Sequence, residues 1–342
     1  MNTGFSNEEE LEEALSRPTS TLIARLRELD GDILLLGAGG KMGPSMARMA
    51  RRAADEAGRP RQVIAVSRYS NPTARESLER CGVRTVSCDL LDEEAVAALP
   101  NAPNVIYLAG MKFGTADNQP LTWAMNTWLP GVVCRRWRSS RIVALSTGNI
   151  YGLVPVSSSG SREGDAPEPL GEYAMSCLGR ERMFQYFSER YGIPTVLVRL
   201  NYAAEPRYGV LADIARKVWQ SEPVDIAMSR FNTIWQGDAN AMILGLLTNA
   251  ATPAEIFNVT GAGQLSTRVV AERFGRLLDR TVRFAGKESD TALLSNSRKL
   301  VDDQGEPTVA DDTLMEWIAW WIASGGGDLG KPTHFEVRDG RF

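Results

Sequence analysis

A glycine-rich turn is the segment of this sequence best suited to hold a phosphate group. It reads Gly37-Ala38-Gly39-Gly40-Lys41-Met42-Gly43 and stands between an apolar run and a stretch typical of a helix. Glycines in this setting allow a tight turn, close approach of the backbone to a pyrophosphate and close packing of helix on strand. The positive end of the helix then faces the phosphates. The turn therefore predicts dinucleotide binding through its glycines, Lys41 and Met42; the alternative is a purely structural turn.

The residues after the second apolar run bear on which dinucleotide is bound. The sequence there is Val66-Ser67-Arg68-Tyr69, with no acidic residue to bond the ribose hydroxyls of NAD. Arg68 could pair with a 2′-phosphate, with Ser67 donating a hydrogen bond and Lys41 adding charge. NADP is therefore favoured over NAD. The alternative is that Arg68 is solvated or stacks on the adenine.

Asp89 and Leu90 follow the third apolar run. In this position they are expected to contact the adenine of the cofactor, with Asp89 bonding its amine. The alternative for Asp89 is a helix N-cap for the segment that follows.

Six continuous apolar runs predict the strands that position these residues. Continuous rather than alternating runs are expected of parallel strands covered by helices on both faces. Amphipathic stretches separate them, at a spacing suited to βαβ units. The fold class predicted is therefore α/β, a doubly wound parallel sheet of the Rossmann type. The predicted strands are residues 32–36, 63–67, 84–88, 104–109, 141–146 and 195–200.

The chain divides by pattern into three parts. Residues 1–30 are predicted to be a helical N-terminal extension, with its helix at 20–29. Residues 31–200, with about 236–260, form the predicted dinucleotide-binding domain. Residues 201–235 and 261–342 form a smaller, partly interleaved substrate lobe and a C-terminal tail. From residue 201 onward, short strands are expected at 224–231, 256–260 and 282–284. A loop rich in Ser, Gly and Pro at 153–172 follows a strand end, where such sheets bind ligands.

Composition excludes several classes of protein. The chain has 342 residues, 43% of them hydrophobic, and a net charge of -4. No basic surface for nucleic acid is expected. The apolar run 317–323 is far shorter than the roughly 20 residues of a membrane span, and the acidic residues 1–15 are unlike a secretory signal. Four cysteines without CxxC spacing and a single histidine, His334, indicate reduced thiols, no metal site and a cytoplasmic protein.

Further motifs carry a resemblance to a known family. They are Cys88-Asp89-Leu90, Tyr107-Leu108-Ala109-Gly110, Asn126, Leu145-Ser146-Thr147-Gly148-Asn149-Ile150-Tyr151-Gly152, Tyr173 and Arg199. With the glycine turn, they resemble the extended short-chain dehydrogenases/reductases, the NAD-dependent epimerase/dehydratase family, along nearly the whole chain. The resemblance implies hydride transfer between a nicotinamide cofactor and a carbinol carbon of a sugar, sugar acid or nucleotide sugar. It also implies a homodimer formed by the helices that carry Tyr173 and Asn126. Further cofactor contacts implied are Leu108, Ala109, Gly110, Asn126, Tyr173 and Cys177.

The resemblance assigns proton transfer to a Ser or Thr and a Tyr-x-x-x-Lys pair. The hydroxyl position falls on Thr147 and the tyrosine on Tyr173. A phenol has a pKa of about 10 and needs a nearby positive charge to act as a base near neutral pH. The family's lysine supplies that charge, but its position here holds Cys177, which cannot be cationic.

Several readings of this departure remain open. Another cation could replace the lysine: Lys112 after the fourth strand is favoured, and Arg180 lies on the same helix face as Tyr173. The alternative for Lys112 is an exposed loop lysine. The alternative for Arg180 is an ion pair with a surface carboxylate. Tyr173 could instead act with the help of the oxidised nicotinamide's charge, or the protein could be a cofactor-binding sensor or scaffold without catalysis. Cys177 as a nucleophile is disfavoured, and retention of Thr147 and Tyr173 favours an active enzyme.

Candidate substrate contacts follow the ends of the strands. Asn201 follows the sixth strand, and Arg207 could hold a carboxylate or phosphate, or form only a surface ion pair. The loop 154–163, Trp235 and Gln236 are further candidates, although Trp235 could equally be core. The substrate residues favoured are Lys112, Thr147, Asn149, Asn201, Arg207 and Tyr208.

Overall fold

The computed structural model describes residues 4–70, 72–112, 117–331 and 333–340. The ends of the predicted segments 1–30 and 261–342 lie outside these ranges. The strands are β1 Ile33–Leu36, β2 Val63–Ser67, β3 Arg84–Ser87, β4 Asn104–Tyr107, β5 Arg141–Thr147, β6 Val154–Pro155, β7 Thr195–Leu200, β8 Ala203–Ala204, β9 Val224–Asp225, β10 Arg230–Phe231, β11 Ile234–Trp235, β12 Glu255–Val259, β13 Leu265–Ser266, β14 Phe284–Ala285 and β15 Thr291–Ala292.

Helices connect these strands. They are α1 Glu8–Leu15, α2 Ser20–Glu28, α3 Gly43–Glu56, α4 Pro72–Arg80, α5 Glu93–Ala97, α6 Gln119–Trp123, α7 Leu129–Arg136, α8 Gly171–Tyr191, α9 Val210–Trp219, α10 Gln236–Gly245, α11 Thr267–Leu278, α12 Arg298–Gln304 and α13 Asp311–Ala323. A π-helical turn, Ala124–Trp128, joins α6 to α7, and 3-10 turns occupy Gly148–Ile150 and Leu246–Asn249.

The central sheet has seven strands in the order β12-β7-β5-β4-β1-β2-β3. Every neighbouring pair is parallel; Ile33 of β1, for example, pairs with Val63 and with Asn104. All six predicted strands are confirmed, with ends that differ by two residues or fewer, and the predicted fold class is confirmed. The strand order reverses between β1 and β4, and in such sheets the crevice at that reversal is where ligands bind.

Both faces of the sheet are apolar because successive side chains of a strand point to opposite sides. In β1, Ile33 and Leu35 pack in one buried cluster with α3 and α10, whereas Leu34 and Leu36 pack in another with α7 and α8. All four residues of β1 are buried. A strand covered on both faces needs a continuous apolar sequence, which is the pattern that made it predictable.

The remaining elements form a third buried cluster built from α1, α9, α11 and α13. Leu11 and Leu15 of α1 belong to it, so the N-terminal extension packs partly on the lobe. The prediction of a single strand at 224–231 is wrong, because that segment contains two separate short strands, β9 and β10. The predicted strand at 256–260 is the edge strand β12 of the main sheet. The division into domains stays a prediction.

Some features are absent from the described ranges. No helix there is long and apolar enough to cross a bilayer. No group of three His, Cys, Asp or Glu side chains among those residues is arranged to hold a metal ion. All four cysteines fall within the described part of the chain, and each is a thiol outside any disulfide.

Candidate active site

Two adjoining cavities open at the carboxyl edge of the sheet, beside the reversal of strand order. The first, of about 350 Å³, extends to Thr147 and Tyr173. The second, of about 550 Å³, extends to Ser67 and Asp89. They share five lining residues and so form one continuous groove. The shared residues are Gly37, Gly40, Leu108, Gly110 and Lys331.

The glycine turn forms the floor of this groove. Gly37 has φ of 88°, and a Cβ there would lie 2.7 Å from the backbone nitrogen of Ala109. A Cβ on Gly39 would collide with the Ser67 hydroxyl. Gly37 and Gly39 are therefore packed too closely for a side chain, and α3 begins at Gly43, at the wall of the first cavity. Exposed backbone and a helix N-terminus in a groove fit a pyrophosphate.

The far end of the second cavity holds the residues expected to contact adenosine. Ser67, Arg68, Asp89 and Leu90 all line it, as do Ala109 and Gly39. Asp89 does not cap the following helix: its Oδ1 accepts a hydrogen bond from the Leu91 backbone at 3.0 Å, whereas the cap of α5 is Asp92. The N-cap alternative is therefore wrong, and Asp89 remains on the cavity wall.

Lys41 points to the opposite end of the groove from Arg68. Its Nζ donates to the Ala203 carbonyl at 3.2 Å and lies 3.6 Å from the centroid of the Tyr208 ring. Lys41 lines the first cavity only. This direction does not support the expectation that Lys41 adds charge at a 2′-phosphate, which stays a prediction. Burial lowers its pKa to about 7, because leaving water disfavours the charged ammonium.

Thr147 and Tyr173 meet in the first cavity. Thr147 ends β5 and Tyr173 lies in the first turn of α8; the two side chains are hydrogen-bond partners. The Thr147 hydroxyl also donates to the Asn149 side-chain carbonyl at 3.0 Å and accepts from the Asn149 backbone at 3.2 Å. Asn149 thus fixes the hydroxyl that the tyrosine contacts.

The surroundings of Tyr173 favour a neutral phenol. Burial is the largest influence and raises its pKa above the usual value, and Cys177 raises it further. The Arg180 guanidinium and the hydrogen bond with Thr147 act in the opposite direction but do not cancel the burial. Without further charge in the cavity, Tyr173 is therefore protonated at neutral pH.

Cys177 is fully buried and lines neither cavity. This position does not support the expected contact of Cys177 with the cofactor, which stays a prediction. Its thiol is instead a hydrogen-bond partner of Tyr173, and burial raises its pKa. A neutral thiol thus stands below the phenol at the place where the family's lysine would be.

Arg180 is buried one turn beyond Cys177. Its Nη1 donates to the Leu145 carbonyl at 2.8 Å, and its Nη2 donates to Asn126 Oδ1 at 2.5 Å. The alternative that Arg180 pairs with a surface carboxylate is wrong. A guanidinium is always charged, so Arg180 places a permanent positive charge close to Tyr173.

Asn126 is also fully buried and lines neither cavity. Its side chain accepts from the Met111 backbone at 2.8 Å and donates to the Met111 carbonyl at 2.9 Å. It also donates to Ser176 on α8 at 2.9 Å. These contacts do not support the expected direct contact of Asn126 with the cofactor, which stays a prediction; Asn126 positions the backbone beside Gly110, which lines both cavities.

Lys112 approaches Tyr173 from the segment that follows β4. Its Nζ lies 6.0 Å from the centroid of the Tyr173 ring and donates to the Thr333 carbonyl at 3.4 Å. The side chain lines the first cavity and is half-buried, so it is not an exposed loop lysine. Burial lowers its pKa to about 8, while Asp213 raises it.

The expected substrate residues divide into two groups. Asn149, Asn201 and Tyr208 line the first cavity with Thr147 and Lys112. Arg207 does not: its guanidinium pairs with Glu205 at 3.1 Å and with Glu12 at 2.6 Å. Glu205 is fully buried, so it needs that cation. These ion pairs do not support the expectation that Arg207 holds a substrate anion, which stays a prediction.

Three other substrate candidates also lie outside both cavities. Trp235 is buried between Phe5 and Trp317, in agreement with the alternative that it is a core residue. Gln236 donates to the Ser45 hydroxyl at 3.2 Å in the interior. The loop 154–163 contributes no residue to either cavity, and its strand β6 pairs with β15.

The C-terminal tail supplies two lining residues that the sequence did not indicate. Lys331 lines both cavities and Thr333 lines the first. Thr333 is fixed to Asp213, which accepts from its backbone at 2.8 Å and from its hydroxyl at 2.6 Å. This contact spans 120 residues, so no local sequence signal could have revealed it.

Comparison with known proteins helps to interpret this groove. The profile of the NAD dependent epimerase/dehydratase family matches residues 33–260. No curated protein sequence matches the chain.

Solved structures with a similar fold include three enzymes of nucleotide sugars. UDP-glucose 4-epimerase of Thermotoga maritima, in complex with UDP-glucose, is 18% identical with a TM-score of 0.70, over 85% of this chain and 98% of that one. A variant of UDP-glucuronic acid 4-epimerase from Bacillus cereus, with NAD and a fluorinated UDP-glucuronic acid, is 17% identical with a TM-score of 0.70, over 86% and 99%. dTDP-glucose 4,6-dehydratase from Streptomyces venezuelae, with NAD bound, is 17% identical with a TM-score of 0.70, over 85% and 97%.

Proposed function

Because the chain belongs to the NAD dependent epimerase/dehydratase family, we propose that it is an oxidoreductase or epimerase. The substrate is a sugar, sugar acid or nucleotide sugar that reacts at a carbinol carbon. One observation carries the proposal: Thr147 and Tyr173 are hydrogen-bond partners in the cavity that also exposes the glycine turn. Similar solved structures hold UDP-glucose or a UDP-glucuronic acid derivative, which supports a sugar-like substrate.

The cofactor is a nicotinamide dinucleotide, with NADP favoured over NAD. The glycine turn would hold its pyrophosphate, and Asp89 with Leu90 would hold its adenine. Arg68 lines the adenosine end of the groove, and no Asp or Glu stands at 67–69 to favour NAD. When bound, the nicotinamide accepts and returns a hydride.

The chain's own residues move the proton. Tyr173 takes the proton from the substrate hydroxyl, and Thr147 orients that hydroxyl by a hydrogen bond. The charges of Arg180 and Lys112 favour the phenolate, against the burial that disfavours it. Arg180 acts from below through its fixed position, and Lys112 acts from the cavity side. Because Arg180 and Lys112 supply the positive charge, an active enzyme does not need a cation at the position of the family's lysine, which Cys177 occupies.

The proposal is tested with Tyr173→Phe and a panel of UDP-glucose, UDP-glucuronic acid and free sugars. Wild type with NADP or NAD should show a change in absorbance at 340 nm or exchange of a substrate deuterium. The variant should lose this by about a thousandfold or more, because the general base is absent. Cofactor binding, measured by quenching of tryptophan fluorescence, should stay within twofold. Unchanged turnover in the variant would refute Tyr173 as the base.

A second function is favoured by one observation, the neutral Cys177 thiol beneath a phenol whose pKa is raised. The protein would then be a cofactor-binding sensor or scaffold with impaired catalysis. Tight cofactor binding with no deuterium exchange for any sugar of the panel would support this alternative and reject the enzyme.

We also propose a cytoplasmic homodimer. The helices implicated by the family resemblance carry large apolar side chains that are exposed, among them Trp128 and Met175. Exposed apolar side chains on the contact helices support an interface. Sedimentation at micromolar concentration should give twice the mass of one chain, and a monomer would contradict the proposal.

A further inference from the structure

The chain uses lysine sparingly, and half of its lysines face one cavity. Of six lysines, three line the first cavity: Lys41, Lys112 and Lys331. Among the described residues, no Asp or Glu lines it. A concave, partly buried site with several ammonium groups and no carboxylate on its wall is suited to an anion.

Lys41 is the lysine with the clearest need for such a partner. It forms no ion pair with any residue in the described segments, and one of its N–H groups donates to the Ala203 carbonyl. A buried ammonium is costly unless it is paired. The charged groups that act on it are Glu205, Lys112, Asp213 and Arg207.

The two carboxylates near Lys41 are both engaged elsewhere. Glu205 pairs with Arg207, and Asp213 accepts both hydrogen bonds of Thr333. Neither lines the cavity. The ammonium of Lys41 is therefore available to pair with an anion that enters the cavity.

We propose that the substrate end of the first cavity binds an oxyanion, a carboxylate or a phosphate, with Lys41 as its principal cationic ligand and Lys112 as the second. This rests on the proposed function in its assumption that a substrate occupies this cavity. The ammonium groups select substrates that carry the anion close to the reacting carbon, because Lys41 and the Thr147–Tyr173 pair line the same cavity.

The oxyanion could belong to the substrate or to the cofactor's pyrophosphate. Position favours the substrate. Lys41 lines only the first cavity, where it contacts the ring of Tyr208, whereas Lys331 lines the boundary shared by both cavities beside Gly37 and Gly40. Lys331 is thus the lysine placed for the pyrophosphate.

Affinity for the anion should depend on pH in a defined direction. Burial lowers the pKa of Lys41 to about 7, so the amine is charged below that pH and neutral above it. Anion binding is therefore strongest below pH 7 and weakens as the pH rises. The tyrosines that face the cavity do not titrate in this range, because burial raises the pKa of Tyr173, Tyr202 and Tyr208.

The first experiment observes Lys41 directly. Protein labelled with ¹³C,¹⁵N-lysine gives six side-chain signals, which single Lys→Arg variants assign. Inorganic phosphate should raise the pH midpoint of the Lys41 signal by about one pH unit and leave that of Lys217, outside the cavity, unchanged. No response of Lys41 to phosphate at pH 6 would overturn the proposal. The pH midpoint of the Lys41 signal is also measured with NADP alone and with phosphate added to NADP-loaded protein. If NADP shifts this midpoint and phosphate then does not, the anion belongs to the cofactor and the substrate assignment fails.

The second experiment compares a matched pair of probes that differ by one carboxylate. Cofactor-loaded protein should bind UDP-glucuronic acid about tenfold more tightly than UDP-glucose at pH 6. Lys41→Met should abolish this preference, Lys41→Arg should retain it, and Lys217→Met should not alter it. Equal affinity of wild type for the two probes, or a preference that survives in Lys41→Met, would overturn the proposal. Both experiments measure binding, so loss of hydride transfer with the Lys41 response intact would refute the proposed function alone.

Discussion

The ammonium of Lys112 lies 6.0 Å from the centroid of the Tyr173 ring. Lys112 follows β4, whereas Tyr173 lies on α8. The cavity-side positive charge at this tyrosine therefore comes from a neighbouring strand end and not from its own helix. Because burial lowers the pKa of Lys112 to about 8, this charge varies over a range of pH that kinetics can reach.

The first prediction concerns that dependence on pH. Lys112 is charged below about pH 8 and neutral above it, so its help to the Tyr173 phenolate is present below that pH and is lost as the pH rises. Wild-type turnover should therefore fall above about pH 8. Lys112→Arg should remove this fall, because a guanidinium stays charged. Lys112→Met should lower turnover about tenfold or more below pH 8 and approach wild-type turnover above it, where Lys112 is neutral. The pH–rate profiles of the three proteins check this; identical profiles would show that Lys112 does not act on the reaction.

The second prediction concerns Arg180. Arg180→Met leaves Asn126 Oδ1 and the Leu145 carbonyl without a charged donor, which should lower the free energy of unfolding by about 2–3 kcal/mol. It also removes a charge that lowers the pKa of Tyr173. The pH at which turnover begins to rise should therefore move upward, as that pKa rises further. Urea unfolding and the acidic limb of the pH–rate profile separate the two effects, with Arg180→Lys retaining the charge. If the variant is less stable but the acidic limb of its pH–rate profile does not move, Arg180 has a purely structural role.

The third prediction concerns the choice of cofactor. Arg68→Met should weaken NADP binding about tenfold, because a 2′-phosphate loses its cationic partner. Affinity for NAD should stay within twofold. Arg84→Met is the matched control, since Arg84 is exposed beside Gln62 and lines neither cavity. Fluorescence titrations of both cofactors measure the ratio, and an equal loss for NAD and NADP would contradict a 2′-phosphate site.

The sheet was predictable because its signal is local. A central strand such as β1 is buried along its whole length, so a continuous apolar run identifies it without knowledge of its partners. The glycine turn is similar: its positions depend on contacts within a few residues and with the next strands. Gly37, Gly40 and Gly43 were therefore identified from their spacing and from their place between a strand and a helix.

Side-chain direction was not predictable, because distant residues determine it. The turn fixes where the backbone of Lys41 lies, but its Nζ reaches the Ala203 carbonyl, 162 residues later in the chain. Arg207 likewise pairs with Glu12, 195 residues earlier. Arg180 lies on a helix that is buried on more than one side, so its burial left no amphipathic pattern to read. The substrate end of the site is thus the part that the sequence described least well.

The last prediction concerns the ion pair that fixes α8 to the sheet. Arg199 of β7 and Glu181 of α8 pair at 2.8 Å, and their side chains are 2% and 0% exposed. Arg199 also donates to the Tyr151 hydroxyl at 2.6 Å. Arg199→Met leaves the Glu181 carboxylate buried and unpaired, which should lower the free energy of unfolding by about 3–5 kcal/mol.

Removing both charges separates the cost of an unpaired carboxylate from the loss of packing. The double variant Arg199→Met with Glu181→Leu should recover at least half of the lost stability, because no buried charge then remains without a partner. Urea unfolding of wild type, both single variants and the double variant gives the coupling free energy directly. Additive losses in the double variant would show that the two side chains contribute separately, and that α8 is held to β7 by packing rather than by this pair.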